Sequence, residues 1–511
     1  MKKYDCIVVG AGNGGLVASI MLQKQGYKVL VLEQQNNVGG ICSPIRKGRF
    51  SFEPSFQSLY IDSEETNNIS INKIFEELEI EKPEFVSVNN EIQICTTSDD
   101  ESIQTFIVHG GIDNYVKEVE KMVPGSSDSL NKFFELAEEC DEALNYINDN
   151  ANVDYSLIEK KYTNFYDIGN STVSKILDQI EMPLEAQEII NSLWIYLGSP
   201  EGDLSFSHYA SFIYNFINYG IKVPKLGNYD ISLSLYNKFL ELGGEIRFNH
   251  QVVRIITEDG SVKGVRTLEG KIYYADYVIA DLNQDTVYRK LIDNSELPPI
   301  VNKGLSKREL GGRPFSIYLG LNRSAKYLGI DKSTYLIYET LDTDLEFNHM
   351  TGDHQNMIVN CLSNMNSEVS AKGTCELVLN AIYFDDCFGN YINVDNYVKS
   401  LNDMASKLIE TFEETLGIHI KEFIEEIELR TPYDISMKLD APEGTIYGYR
   451  YTGLDNLLPR MLSRKNEKYV DKLYFCGGFN GDVYGIESTY VVAYKTALSI
   501  IKRNRGFKNG K

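Results

Sequence analysis

The sequence predicts an α/β fold: a domain built on a parallel sheet, joined to a second, α+β domain. Three observations predict it. The chain opens with an apolar strand, a glycine-rich turn, a helix and a second strand. It closes with a short strand, another glycine-rich loop and a long helix. Between them, a helix that stops at Gly243–Gly244 is followed by a series of strand-like runs.

The opening unit spans about 30 residues, the size of a βαβ motif. Residues 4–9 (YDCIVV) form an apolar run of strand length, and Gly10, Gly12, Asn13, Gly14 and Gly15 follow. The stretch LVASIMLQKQG has helical spacing and ends at Gly26; KVLVLE is the second strand. Gly10 permits a tight turn, Gly12 lets backbone approach a diphosphate, and Gly15 lets helix pack on strand. The helix N-terminus offers free N–H groups to phosphate. Glu33 stands about 20 residues beyond the glycines, where a carboxylate accepts ribose hydroxyls. Strand, glycines, helix, strand and acid in this order predict a Rossmann-like dinucleotide site. A carboxylate at Glu33 disfavours a 2′-phosphate, which argues against NADP.

Gln34 follows, and then the Gly39–Gly40 pair with Ile41, where backbone can pass close to a ligand. At the other end, residues 473–476 read as a strand. Gly477, Gly478, Gly481, Asp482 and Gly485 come next, and a helix runs from near Glu487 to about Arg503. In the middle, residues 230–242 read as an amphipathic helix, and 245–248, 251–257, 261–267 and 275–280 as strands. No second strand–GxGxxG–helix unit occurs, so a separate NAD(P)H domain is not expected.

Residues 60–220 are mainly helical in pattern, with periodic apolar runs over 71–80, 130–147 and 182–198. The run 206–221 is rich in Phe, Tyr and Ile. It reads as a domain core, as a lining for a long apolar substrate, or as a surface for peripheral membrane contact. Trp194 and His208 share that ambiguity. Residues 306–454 hold alternating runs such as PFSIYLGLN, YLIYE and MIVNCL, which suggest an antiparallel sheet.

Composition narrows the function classes. The chain of 511 residues is too long for one ordinary core. With 73 acidic against 50 basic residues its net charge is −23, which argues against nucleic acid and against electrostatic docking on anionic lipid. Eight scattered cysteines, with no CxxC pair, make a metal site or disulfide framework improbable. No membrane span or signal peptide is read, and the expected location is cytoplasmic.

Three stretches together resemble the phytoene desaturase and carotenoid isomerase branch of the FAD-dependent amine oxidase superfamily, which includes the retinol saturase-like enzymes. The matching text is VVGAGNGGL…VLEQQNNVGG, LGGEIRFNHQVVRI…VKGV…ADYVIA and LYFCGGFNGDVYGIES, with TPYDISMKLDAPEGTIYG before the last strand. The resemblance implies FAD as cofactor, bound by residues 1–70, 225–305 and 455–511, with 71–224 and 306–454 forming the substrate domain. It implies that Val252 faces the adenine through its backbone. It places Asp482 on ribityl hydroxyls, with Gly478, Ile486 and Glu487 near the flavin. The sequence departs from the family pattern at Glu53–Pro54–Ser55, at Leu226–Gly227–Asn228 and at Ile486–Glu487–Ser488, where family members line the isoalloxazine or substrate. The implied activity is hydride transfer between a lipophilic, polyene-like small molecule and flavin N5, with Glu487, Tyr484 and Glu53 as acid–base candidates. The alternatives are a double-bond isomerase without net redox change, an amine or acyl-group oxidase, and a non-catalytic lipid escort of the GDP-dissociation-inhibitor type.

Overall fold

The computed structural model describes residues 3–54, 60–61, 71–88, 90–97, 103–150, 153–384, 396–453, 455–464, 469–478 and 486–509. Its first sheet has seven strands: β1 (Lys3–Val9), β2 (Val29–Leu32), β3 (Glu245–Arg247), β4 (Val252–Glu258), β5 (Ser261–Thr267), β6 (Ile272–Ala280) and β7 (Leu473–Phe475). The order is β3-β2-β1-β6, all parallel. β7 runs parallel to the last residues of β6, while β5 and β4 continue antiparallel from its first residues. Residues at three widely separated chain positions therefore end on one sheet edge. β2 is buried throughout, as a strand covered on both faces must be.

Helix α1 (Asn13–Lys24) crosses from β1 to β2. It packs against α2 (Asn228–Glu241) and against the C-terminal helix α4 (Ile486–Asn509). Leu16, Ile20, Ile231, Leu235, Phe239, Tyr490, Ala493 and Ala497 share this core, all at 0% exposure. The edge of the Phe75 ring meets Tyr490, with centroids 5.6 Å apart. The helices predicted over 230–242 and from near residue 487 are present, each beginning one or two residues early.

The second sheet also has seven strands. In spatial order they are Ile424–Arg430, Arg313–Leu321, Cys375–Tyr383, Met357–Asn360, Thr334–Tyr338, Ile92–Thr97 and Ile103–Ile107. This adds to one expectation and corrects another. The region before residue 220 is mainly helical as read, but a hairpin at 92–107 within it completes this sheet. The sheet is not purely antiparallel, since Ile92–Thr97 lies parallel to Thr334–Tyr338. The hairpin reads weakly because its outer strand, IQTFI, is largely exposed and has no buried alternation. The run 182–198 is likewise broken, into a helix at Leu184–Asn191 and a short turn at Trp194–Tyr196. Ser192 Oγ turns back onto the Ile189 carbonyl at 2.7 Å at the break.

The aromatic run beginning at Phe206 is core. Phe206, Tyr209, Ile213 and Ile217 are buried against the helix Ser127–Asp149. Trp194 packs against the paired rings of Phe347 and Phe384. His208 is 3% exposed beside Tyr451, and burial with the nearby Arg460 charge pushes its pKa down to about 3. It is a neutral core histidine. No described helix is long and apolar enough to cross a membrane.

One buried acid makes stability sensitive to pH. Glu346 is 0% exposed, accepts the Thr340 N–H at 3.0 Å, and is pushed by burial from 4.5 up to about 8. The folded chain keeps its proton while the unfolded chain releases it. Wild-type stability therefore falls as pH rises from about 4.5 to 8 and levels off above. Glu346→Gln has no proton to lose. Urea titrations across that window should show the variant gaining on wild type by roughly 3–5 kcal/mol.

Candidate active site

The carboxyl ends of β1, β2 and β6 open on one cleft, the place where doubly wound sheets bind ligands. One wall is Gly10, Gly12, Asn13 and Gly14; another is Glu33, Gln34 and Gln35; a third is Gly39, Gly40, Ile41, Cys42 and Ser43. Val252 closes one end, and Gly477, Gly478 and Thr489 lie along the rest. These are residues from β1 to the C-terminal helix, gathered because their strands are neighbours in the sheet.

Glu33 is the hinge of the polar end. One carboxylate oxygen accepts the Ala11 N–H at 2.7 Å and the other the Gln35 N–H at 2.7 Å. Burial raises its pKa, and those two backbone donors pull it back down. Gly39 N–H donates to the Ala11 carbonyl at 2.9 Å, tying the double-glycine loop to the first turn. Gly39 has φ +101°, a conformation that excludes most side chains. Gly15 does not line the cleft. A Cβ there would lie 2.4 Å from the Gly10 carbonyl oxygen, so its absence lets α1 sit down on β1.

Asn13 does more than line the cleft. Its Nδ2 donates to Tyr490 Oη at 2.8 Å, and its Oδ1 accepts from Ser232 Oγ at 2.6 Å. It thereby joins α1, α2 and α4, whose residues come from three distant parts of the sequence.

The remaining sequence candidates separate. Glu53 is absent from the cleft lining; it accepts the Asn228 N–H at 2.8 Å at the start of α2. Its carboxylate oxygen lies 2.5 Å from where a Cβ on Gly227 would be, so the departures at residues 53 and 227 meet each other. Ile486 opens α4 and Glu487 falls in its first turn, where an acid complements the helix dipole. Asp482 and Tyr484 lie outside the described residues.

Several lining residues escape sequence reasoning. Lys438, from helix α3 (Pro432–Leu439), reaches the Ser43 carbonyl at 3.4 Å, and its own carbonyl accepts from Gln34 and Gln35 at 2.9 and 3.2 Å. Burial lowers its pKa, as does the Arg430 charge. Tyr196, Ile446 and Tyr447 form the apolar end. Behind Tyr196 stand Phe212 and Phe216, with centroids at 6.1 and 5.6 Å. Lys438 lies in the quoted segment TPYDISMKLDAPEGTIYG, but its place at the cleft, like that of Tyr196, depends on how the second sheet meets the first. Asp281 also lines the cleft, directly after β6. The acid at the end of ADYVIAD was a usable signal once β6 is placed beside β1.

The Asn13 junction is directly testable. Asn13→Ala removes two buried hydrogen bonds linking three helices, and should lower stability by about 2–3 kcal/mol. Thermal unfolding should show a lower Tm, while Asn13→Asp, which keeps an acceptor for Ser232, should lose less.

Comparison with known proteins agrees with this geometry. The family model described as flavin containing amine oxidoreductase matches residues 14–327. The chain is similar to an all-trans-retinol 13,14-reductase of Danio rerio, 23% identical over 95% of this chain and 85% of that protein. It is similar to a 1-hydroxycarotenoid 3,4-desaturase of Flavobacterium sp. (strain P99-3), 24% identical over 94% of each. Among solved structures, putrescine oxidase bound to putrescine superposes with a TM-score of 0.64, at 14% identity, over 98% of this chain and 99% of that one; this likeness shows the shared fold. The chain belongs to the flavin containing amine oxidoreductase family, on the side of its carotenoid desaturase and retinol reductase relatives, and is an FAD-dependent oxidoreductase.

Proposed function

We propose that this enzyme transfers hydride between a lipophilic, polyene-like substrate and FAD, as a desaturase or a saturase. The observation that carries the reading is the gradient along the cleft, from the buried carboxylate of Glu33 to an apolar end of Tyr196, Ile446 and Tyr447. The relatives named for retinol and hydroxycarotenoid chemistry support the substrate class.

The residues present fit the cofactor. Gly12 and Gly14 present bare backbone at the α1 N-terminus, where a Cβ would stand 2.5 Å from Asp281 Oδ2 and 2.8 Å from the Gly477 nitrogen, and Glu33 offers a carboxylate at the end of β2. We assign the adenosine half to Gly10, Gly12, Asn13, Gly14, Glu33, Gln34 and Val252, and the remainder to Gly39, Gly40, Ile41, Gly478, Asp482 and the start of α4. Gly15 supports this set by letting α1 close on β1. Residues 1–70, 225–305 and 455–511 would form the cofactor half, and 71–224 and 306–454 the substrate half. Bound FAD supplies a two-electron carrier for the substrate carbon. The chain's own residues bind, orient and exclude water. Tyr196, Ile446 and Tyr447 give the substrate an apolar surface, and the Tyr447 hydroxyl is already committed to the Ile195 carbonyl at 2.7 Å. Lys438 offsets the carboxylate of Glu33, and Asp440 pairs with Lys290 at 2.6 Å. Glu487 and Tyr484 are the acid–base candidates; hydride removal beside a conjugated chain does not require a strong fixed base.

Two measurements test this reading. Glu33→Ala should weaken FAD binding about 10- to 100-fold, the weight of hydrogen bonds to a charged acceptor, read by equilibrium dialysis of the apoprotein. Anaerobic mixing of the oxidised holoenzyme with a partly saturated polyene should bleach the flavin and lengthen the conjugation, and the reduced enzyme with the conjugated polyene should do the reverse. Rearranged double bonds with no lasting change of flavin redox state would establish an isomerase instead. Bleaching by amines and by no polyene would sink the substrate class.

A further inference from the structure

The N-terminus of α1 already has an anion on it. Asp281, the residue after β6, points its carboxylate at the glycine turn, and Oδ2 accepts the Gly15 N–H at 2.9 Å. Its oxygens fill the space that the glycines leave. A Cβ on Gly12 would stand 2.5 Å from Oδ2; on Gly14 and Gly477 it would stand 3.0 and 2.2 Å from Oδ1. The cradle built from Gly12, Gly14 and Gly477 is thus closed around a carboxylate of the chain itself. The side chain is half-buried, with its open side on the cleft.

This is the ground on which a dinucleotide's diphosphate is expected, since the first helix N–H groups and the macrodipole are there. Two anions cannot share it without a counter-charge between them. Among the described residues, the titratable groups facing Asp281 do not supply one. Glu33 past β2 and Cys476 past β7 lie on the sheet side, and Cys42 lies on the double-glycine loop. Lys438 faces Cys42 and Glu33 from α3 and is already directed to the Ser43 carbonyl.

We propose that Asp281 competes with the FAD diphosphate for the α1 N-terminus, so that binding the cofactor is coupled to uptake of one proton by this side chain. The proposal rests on assigning the glycine cradle to the diphosphate. Neutral Asp281 gives up its claim on the Gly15 N–H and can donate its O–H to a phosphate oxygen, turning a repulsion into a hydrogen bond. Two features of the apoprotein favour the step. Burial, together with the Glu33 charge, already holds Asp281 at about 6, and a diphosphate alongside would raise it further. The diphosphate diester does not titrate near neutral pH, so the linked proton belongs to the protein.

The test is FAD binding by the apoprotein, measured by fluorescence quenching and by calorimetry between pH 6 and 8. With one linked proton, the wild-type Kd should rise about tenfold per pH unit. Calorimetry in two buffers of different ionisation enthalpy should count about one proton taken up per FAD. Asp281→Asn should bind at least about tenfold more tightly at pH 8, with a nearly flat profile and no proton uptake. Glu33→Gln should bind more weakly yet keep the wild-type slope. Parallel profiles for wild type and Asp281→Asn overturn the proposal, as does a slope that vanishes with Glu33→Gln instead. If Asp281→Asn does not fold, wild-type proton uptake decides alone, and its absence is fatal. Binding that is tight and independent of pH refutes the coupling while leaving the cofactor site intact. Failure of FAD to bind at any pH refutes the site assignment itself.

Discussion

The hydrogen bond from the Ala11 N–H to the Glu33 carboxylate, at 2.7 Å, ties the glycine turn after β1 to the end of β2. Much else depends on it. It sets the turn against the neighbouring strand, and the bridge from Gly39 to Ala11 then brings the double-glycine loop alongside. Three stretches of backbone lie side by side with few Cβ atoms between them. Such close approach is possible only where side chains are missing, and it leaves a groove with backbone N–H groups for walls.

That groove carries an electrostatic tension. Backbone donors and a helix N-terminus favour anions, yet the side chains supplied to it are mostly carboxylates: Glu33, Asp281 and Asp440, against Lys438 among the described lining residues. Glu33 and Asp281 both have raised pKa values, with burial as the leading cause. The arrangement is tolerable because Glu33 and Asp281 each accept from backbone N–H groups, and Asp440 pairs with Lys290.

Much of the polar end of the cleft was legible in sequence. The strand, the glycines, the helix and Glu33 follow one another within about 30 residues, so local spacing alone carries the geometry of a βαβ unit. The strands at 245–280 were readable for the same reason, since alternation and turn signals are local. The hairpin at 92–107 was not, because its outer strand is solvated and shows no buried face. Glu53, an acid–base candidate in the sequence, is engaged with backbone in the structure. Its partner is the backbone of Asn228, 175 positions away, and nothing beside it in the chain indicates a helix to cap.

The sequence by itself determined the fold class, the family and the first wall of the cleft, because each motif that carries them is local, even where the motifs stand far apart along the chain. Only the tertiary structure decided what surrounds them. It put Lys438 against Ser43, Tyr196 at the apolar end and Asn13 between Ser232 and Tyr490. It also turned Asp281 onto the helix that the glycines prepare. Such contacts join elements hundreds of residues apart. Their partners are chosen by strand order and by the seating of one sheet on another, and periodicity in the chain does not encode either.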